Sequence, residues 1–384
     1  MRAYHRGLLV VCLVLGGCGG GSAVSATSAP ATSGATGSAC SVTFASAAAS
    51  AETGNNPRAV IAADLNGDAK TDVVVTDLDG NAISVLLGKG NGAFAAATDY
   101  PVGSHPYMTV AGDFNGDGKP DLATADFGGQ EVSVRLGKGD GTFGQLTTVA
   151  VGPAPRAIAV GDVDGDGKAD LVTANQRSST VSVLIGRGDG TFASKADYST
   201  GRSPHGVVLG DFNRDGVLDA ATASAGSEGV SVLLGRGDGS FGAATSYAAA
   251  ERLYSLTAGD FNGDGTLDLA AASNGSASAG VLLGAGNGTF APVAEYSTSA
   301  PPVAVAAADI TGDGRADLLT SVPSAGAVEI FVAGESGKFT RAADVVIGAG
   351  AYDAVAVDVT GDRIADLVVA SSGTNSVRTA RGGC

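Results

Sequence analysis

Residues 113–121 read Asp113-Phe114-Asn115-Gly116-Asp117-Gly118-Lys119-Pro120-Asp121, with an oxygen-bearing side chain at the first, third, fifth and ninth places. The stretch recurs. Its counterparts begin at Asp64, Asp162, Asp211, Asp260, Asp309 and Asp358, and each first Asp lies 49 residues after the one before. An unbroken period of this length marks a repeat architecture, in which each unit is one module and neighbours stack to bury a shared core.

The alternation of oxygens suits a hard cation. Calcium takes six to eight oxygens, and a short loop supplies them from alternate positions. In residues 113–121 the candidate ligands are Asp113, Asn115, Asp117, the Lys119 carbonyl and Asp121. The third loop is the most acidic, with Asp162, Asp164, Asp166 and Asp170. The first offers Asp64, Asn66, Asp68 and Asp72; the fourth offers Asp211, Asn213, Asp215 and Asp219; the fifth offers Asp260, Asn262, Asp264 and Asp268. The sixth (Asp309, Thr311, Asp313, Asp317) and the seventh (Asp358, Thr360, Asp362, Asp366) carry the weaker Thr oxygen at the third place. Gly at the sixth place permits a left-handed turn. Ala69 and Arg363 stand there in the first and seventh loops, so the seventh, with Thr360 as well, is expected to bind most weakly. Without a cation, carboxylates this close repel one another. The alternative is a set of Asp/Gly turns with no ion.

Composition agrees with many turns and short strands. The chain has 384 residues, 60 of them Gly, no Trp and a formal net charge of −16. Short Val, Leu and Ala runs between Gly-rich turns read as strands. The loops hold 22 of the 39 acidic residues, so most of the negative charge is loop charge and not an acidic tail. No basic face is evident to meet phosphate, which argues against nucleic acid as a partner.

The N-terminus reads differently. Residues 1–17 carry Arg2 and Arg6 before the apolar run Gly7–Leu15, the pattern of a secretion signal. The run is too short to span a membrane. Leu15-Gly16-Gly17-Cys18 resembles the lipobox of bacterial lipoproteins, which implies cleavage before Cys18 and a lipid on its sulfur. That resemblance implies export and an envelope anchor, and Gly19 in place of an Asp retention signal favours the outer membrane or cell surface. Residues 18–39 are dominated by Gly, Ser, Ala and Thr and read as a tether. A single domain then fills 40–384.

Within that domain each unit reads alike. In the second, Met108–Gly112 leads into the Asp loop, Leu122–Ala125 leaves it, Val132–Leu136 follows a Gly-rich turn, and Phe143–Ala150 completes the unit. Four antiparallel strands repeated seven times fit an all-β, seven-bladed propeller. The Asp loops and turns such as Gly186-Arg187-Gly188-Asp189-Gly190-Thr191-Phe192 resemble the FG-GAP and VCBS-type repeats of integrin α-subunit propellers. In that family the Asp loop joins the first two strands of a blade and binds calcium on the lower face. The second half of the family pattern is loose here, with Phe-Gly surviving at Phe143-Gly144 and Phe241-Gly242.

The last unit stops after its third strand, near Arg381, so the missing fourth is expected from Val42–Ala48, with Phe44 matching Phe143 and Phe192. On the same template Cys40 and Cys384 fall at one equivalent position, and export permits a disulfide between them.

One position varies informatively. Six residues before each first Asp stand Arg58, Tyr107, Arg156, His205, Tyr254, Val303 and Tyr352. This position opens the innermost strand on the upper face. Aromatic and basic groups at one rim suit a glycan or a peptide. The other reading is a plug in the channel mouth. The Arg-Gly-Asp spellings at Arg187–Asp189 and Arg236–Asp238 read as hairpin turns, because related turns spell Lys-Gly-Asn and Lys-Gly-Asp. Catalysis finds little support: beyond the signal only His105 and His205 remain, and no Ser sits in a recognisable elbow. The sequence therefore leads to a monomeric, non-enzymatic, calcium-binding adhesion or binding module of the cell envelope. A glycan-binding lectin is the alternative, and a polysaccharide lyase is a more distant one.

Overall fold

The computed structural model describes residues 43–45, 48–227 and 229–383. Seven four-stranded antiparallel sheets, six of them simple meanders, are arranged as blades around one axis. The first blade runs from the inside outward as Pro57–Ala63, Asp72–Asp77, Ala82–Leu86 and Thr98–Pro101. In the second, Pro106–Gly112, Asp121–Asp126, Glu131–Gly137 and Phe143–Ala150 extend the strands read from the sequence by a residue or two. Each innermost strand packs against the next, and the last, Ala351–Val357, packs against the first, so the ring is closed.

Seven strands converging on an axis leave little room per residue. The innermost strands are accordingly rich in Ala, Gly and Val, and those of the second and fourth blades are buried throughout. The second strands, buried on both faces between neighbouring blades, lack the polar alternation of a half-solvated strand. Phe at the second place of an Asp loop meets the Phe of the following blade's turn edge to face, as Phe114 does with Phe192 and Phe261 with Phe339.

The seventh blade is completed by the N-terminal segment, but not by the stretch expected. Its outer strand is Ala48–Glu52, paired with Ser376–Ala380, whereas Val42 lies outside the described residues. The reason is the irregular pairing that follows the Phe recurring in the repeats. Phe192 bridges Gly186 and the regular strand begins only at Ala196. Phe44 likewise faces Gly382, and regular pairing resumes at Ala48. Phe44 thus matches Phe143 and Phe192 as expected, while the strand sits further along. Cys18, Cys40 and Cys384 lie outside the described residues, as do the signal and the tether. Among the described residues no helix is long and apolar enough to cross a membrane.

Candidate functional site

The lower face carries the Asp loops, each joining an innermost strand to the second strand of its blade. The first Asp organises the loop. Asp113 Oδ1 accepts from the Gly116 and Asp117 amides, and its Oδ2 accepts from Gly118. Asn115 and Asp117 accept from the amides two residues on, the Asx-turn pattern of Asn and Asp side chains. Two places in the loop are left-handed, where the sequence reading assigned one. Gly116 and Gly118 have φ of 72° and 76°. Arg214 at the fourth place (61°), and Ala69 (61°) and Arg363 (68°) at the sixth, adopt this conformation despite a Cβ, at a cost of roughly 1–2 kcal/mol each.

The ninth-place Asp does more than close the loop. Asp121 is fully buried, and its two oxygens accept from the Phe114 and Gly137 amides, tying loop to second and third strands. The same pair of bonds recurs at Asp72, Asp170, Asp219, Asp268 and Asp366. Asp317 follows with Ile310 and Ala333. Burial pushes the carboxyls of Asp121, Asp170, Asp219 and Asp268 up to about 6. At the fifth place, Asp68, Asp117, Asp166 and Asp313 each pair with the basic side chain two residues on. In the third loop Asp162, Asp164 and Asp166 each offer an oxygen within 4.8 Å of the others. That clustering of hard carboxylate donors fits a cation such as calcium in chemistry and in spacing.

The turns between third and outer strands grip these loops across blades. Gly141 donates to Leu65 O, Gly190 to Phe114 O, and Gly92 to Val359 O across the ring closure. The Arg-Gly-Asp turns belong to this set. Asp189 and Asp238 accept locally from Thr191 and Ser240, as hairpin turns should.

The upper mouth is built by bulges. In six blades the register slips at the start of the innermost strand, and the skipped residue is Arg58, Tyr107, Arg156, His205, Tyr254 or Tyr352. A bulge re-aims one side chain out of the sheet's alternation. The sixth blade has no slip, and its residue is Val303. The six side chains form one cluster. Tyr107 and Tyr352 join their hydroxyls at 2.6 Å, and Arg156 donates to the Tyr107 hydroxyl at 2.5 Å. Arg58 stacks on Tyr352 at 4.2 Å, and Arg156 stacks on Tyr107 at 4.1 Å and on Tyr254 at 5.1 Å. His205 meets Tyr254 edge to face at 4.8 Å. Tyr107, Arg156, His205 and Tyr352 are at least nine-tenths buried. Burial, with Arg156 and Arg252 nearby, lowers His205 to about 3, so its ring is neutral in any ordinary buffer.

The six groups converge on the mouth and fill it. Arg58 Nε, Arg156 Nε and His205 Nδ1 are buried without a hydrogen-bond partner among the described residues. The ring of His105 pairs with the neighbouring Ser104, Nδ1 to Oγ at 2.9 Å, in an exposed turn.

No curated protein sequence matches the chain. Among solved structures, an Agrocybe aegerita lectin that recognises non-reducing terminal N-acetylglucosamine superposes with a TM-score of 0.58, at 19% identity over 86% of each chain. The periplasmic gluconolactonase of Pseudomonas aeruginosa gives 0.55, at 15% identity over 78% of this chain and 86% of its own. Virginiamycin B lyase from Staphylococcus aureus gives 0.54, at 11% identity over 84% of this chain and 98% of its own. At such identities the likeness is one of fold. The family profile for the FG-GAP-like repeat matches residues 64–124, 113–173, 162–222, 220–271 and 260–320, more than half of the sequence, and with its Asp loops and seven blades the chain belongs to the FG-GAP-like repeat family.

Proposed function

We propose that the protein is a non-enzymatic binding module held at a bacterial cell envelope through a lipid on Cys18, its ring stabilised by calcium in the Asp loops. The ligand, a glycan or a peptide, meets the upper mouth at Arg58, Tyr107, Arg156, His205, Tyr254 and Tyr352. The observation that carries this reading is the set of six bulges, each spent on bringing a different aromatic or basic side chain to one point. A ring needing only a plug would be served by repeated apolar residues. Tyr and Arg faces instead supply stacking area and directional donors together.

Calcium would be held by the alternating oxygens of each loop, with Asp162, Asp164, Asp166 and Asp170 the strongest set. When bound it supplies positive charge that offsets the clustered carboxylates. The chain's own loop residues contribute the preformed turn. A lectin is the second reading, supported by the fold shared with the Agrocybe aegerita protein.

Glycan and peptide arrays probed with the calcium-loaded protein test the proposal. Binding that falls at least tenfold in Arg58→Ala and Tyr254→Ala, two half-buried members of the cluster, supports it. Binding indifferent to both overturns the assignment to the upper mouth.

A further inference from the structure

Two guanidiniums in the upper mouth lack a counter-ion. Arg58 is half-buried and stacks on Tyr352, and its Nε is buried without a hydrogen-bond partner among the described residues. Arg156 is nine-tenths buried against the rings of Tyr107 and Tyr254. Its Nη2 donates to the Tyr107 hydroxyl, and its Nε has no partner among the described residues. Neither side chain takes part in an ion pair among the described residues, whereas Lys70, Lys119, Lys168, Lys195, Arg315 and Arg341 all do. A guanidinium is always charged and carries five donors in a fixed fork. Burying it without a counter-ion is costly, and ring faces return only part of that cost.

The surroundings favour a negative charge at this point. In the turns and connections over the third to fifth blades, exposed Arg177, Arg202 and Arg252 outnumber Glu251 among the described residues. The Asp loops lie on the opposite face. The ring is thus polarised along its axis, and the upper mouth draws an anion although the whole chain carries a formal charge of −16. Asp353, one residue beyond Tyr352, is fully buried, and its Oδ2 accepts from the Val60 amide. Counted with Arg58 and Arg156, it leaves one positive charge to balance.

We infer that, for a ligand at the upper mouth as proposed above, the group this cluster grips is a carboxylate. A planar carboxylate meets the guanidinium fork with two parallel hydrogen bonds. It brings a single negative charge, whereas a dianion would overshoot the balance and cost more to desolvate in a buried site. Half-buried Tyr254 supplies ring area for the apolar part of the ligand beside it. An acidic peptide and an acidic sugar both offer such a group.

Isothermal titration of the full chain in calcium tests this with matched pairs: acetyl-Gly-Gly as the free acid and as its amide, and methyl glucuronide beside methyl glucoside. At least one carboxylate should bind with Kd of about 1 mM or tighter, and its neutral counterpart at least about tenfold more weakly. Which pair responds tells peptide from sugar. Arg58→Gln should weaken the carboxylate about tenfold, and Arg58→Lys, which keeps the charge without the fork, only several-fold. Arg156→Gln decides the matter should Arg58→Gln not fold. Neutral probes bound as tightly as the acids, with binding lost in Arg58→Gln, would overturn the carboxylate and leave the mouth as the site. So would failure of both acids to bind while an array ligand still depends on Arg58. Sulfate binding more tightly than either acid, or acids bound equally well by both Gln variants, would also overturn it.

Discussion

The hydroxyls of Tyr107 and Tyr352 meet at 2.6 Å, joining the second blade to the seventh over the head of the first. Arg58 of the intervening blade stacks on Tyr352, and Arg156 donates to Tyr107. Cation and ring hold one another across four blades, so the cluster has a structural effect whether or not a ligand is present. Tyr352→Phe keeps the ring beneath Arg58 and loses one hydrogen bond, for a cost of about 1 kcal/mol. Tyr352→Ala also removes the stacked, buried ring, for about 3 kcal/mol. Urea unfolding of the two variants checks the order. Equal losses would mean that the hydroxyl pair alone matters.

The repeat made the ring, its blade number and its loops legible, because a period of 49 residues is a property of the chain and not of its packing. The closing strand was legible in kind. Its start was misplaced because nothing in the sequence beyond the Phe itself marks that regular pairing resumes only at Ala48. The bulges at Arg58, Tyr107, Arg156, His205, Tyr254 and Tyr352 were invisible, although the variable position they occupy was not. A clue was available. A residue with positive φ stands two residues before each of them (Asn56, His105, Ala154, Ser203, Arg252 and Gly350), and only in the seventh blade is it Gly. The left-handed turn is imposed by ring geometry and not by composition.

Asp77 and Asp126 are fully buried, and burial pushes both carboxyls to about 7, against donations from Ser84 and Ser133 that favour the charged form. The ordinary value of such a group is 3.8. Below about pH 4 both folded and unfolded chains hold the proton, and the group has no effect on stability. From there to about pH 7 the unfolded chain ionises first, the folded chain binds more protons, and stability falls as pH rises. Above pH 7 the penalty is complete. Asp77→Asn copies Asn175, whose amide donates to Ser182 in the third blade. The variant should match the parent at pH 4 and exceed it by about 2 kcal/mol at pH 8. Thermal melts at fixed calcium concentration read the difference, and parallel pH profiles for the two proteins would refute it.

Calcium should raise the melting temperature and a chelator should lower it. With site affinities of about 10⁻⁴–10⁻³ M, as in extracellular modules, calcium at tenfold excess over Kd adds about 1.4 kcal/mol per site. The third loop, where Asp162, Asp164 and Asp166 cluster, should account for the tightest step. Asp166→Asn removes one of those carboxylates, so the calcium-induced rise should shrink by about one site's share while the chelated melting temperature changes little. The Lys168–Asp166 pair that it also removes is solvent-exposed and contributes little at best. A melting curve that ignores both chelator and calcium would leave the loops as hydrogen-bonded turns alone.

Closure of the ring is the point at which stability is most open to a single change. Ala48–Glu52 pairs with Ser376–Ala380, and Thr43–Phe44 pairs with Gly382–Gly383, so the first and last described segments run side by side and antiparallel. Deleting residues 43–52 would expose the edge of Ser376–Ala380, an unpaired strand of the kind that invites aggregation. The deletion should lower the melting temperature and promote self-association, which light scattering would follow. A Cys40–Cys384 bridge, expected from the sequence, would add to this closure. A loop of that length contributes about 5 kcal/mol where the bond is unstrained. Reduction should therefore destabilise the intact chain and have a smaller effect on the deleted one, whose ends no longer pair. A non-reducing peptide map without the linked Cys40 and Cys384 peptides would remove the bridge and leave strand pairing as the lock.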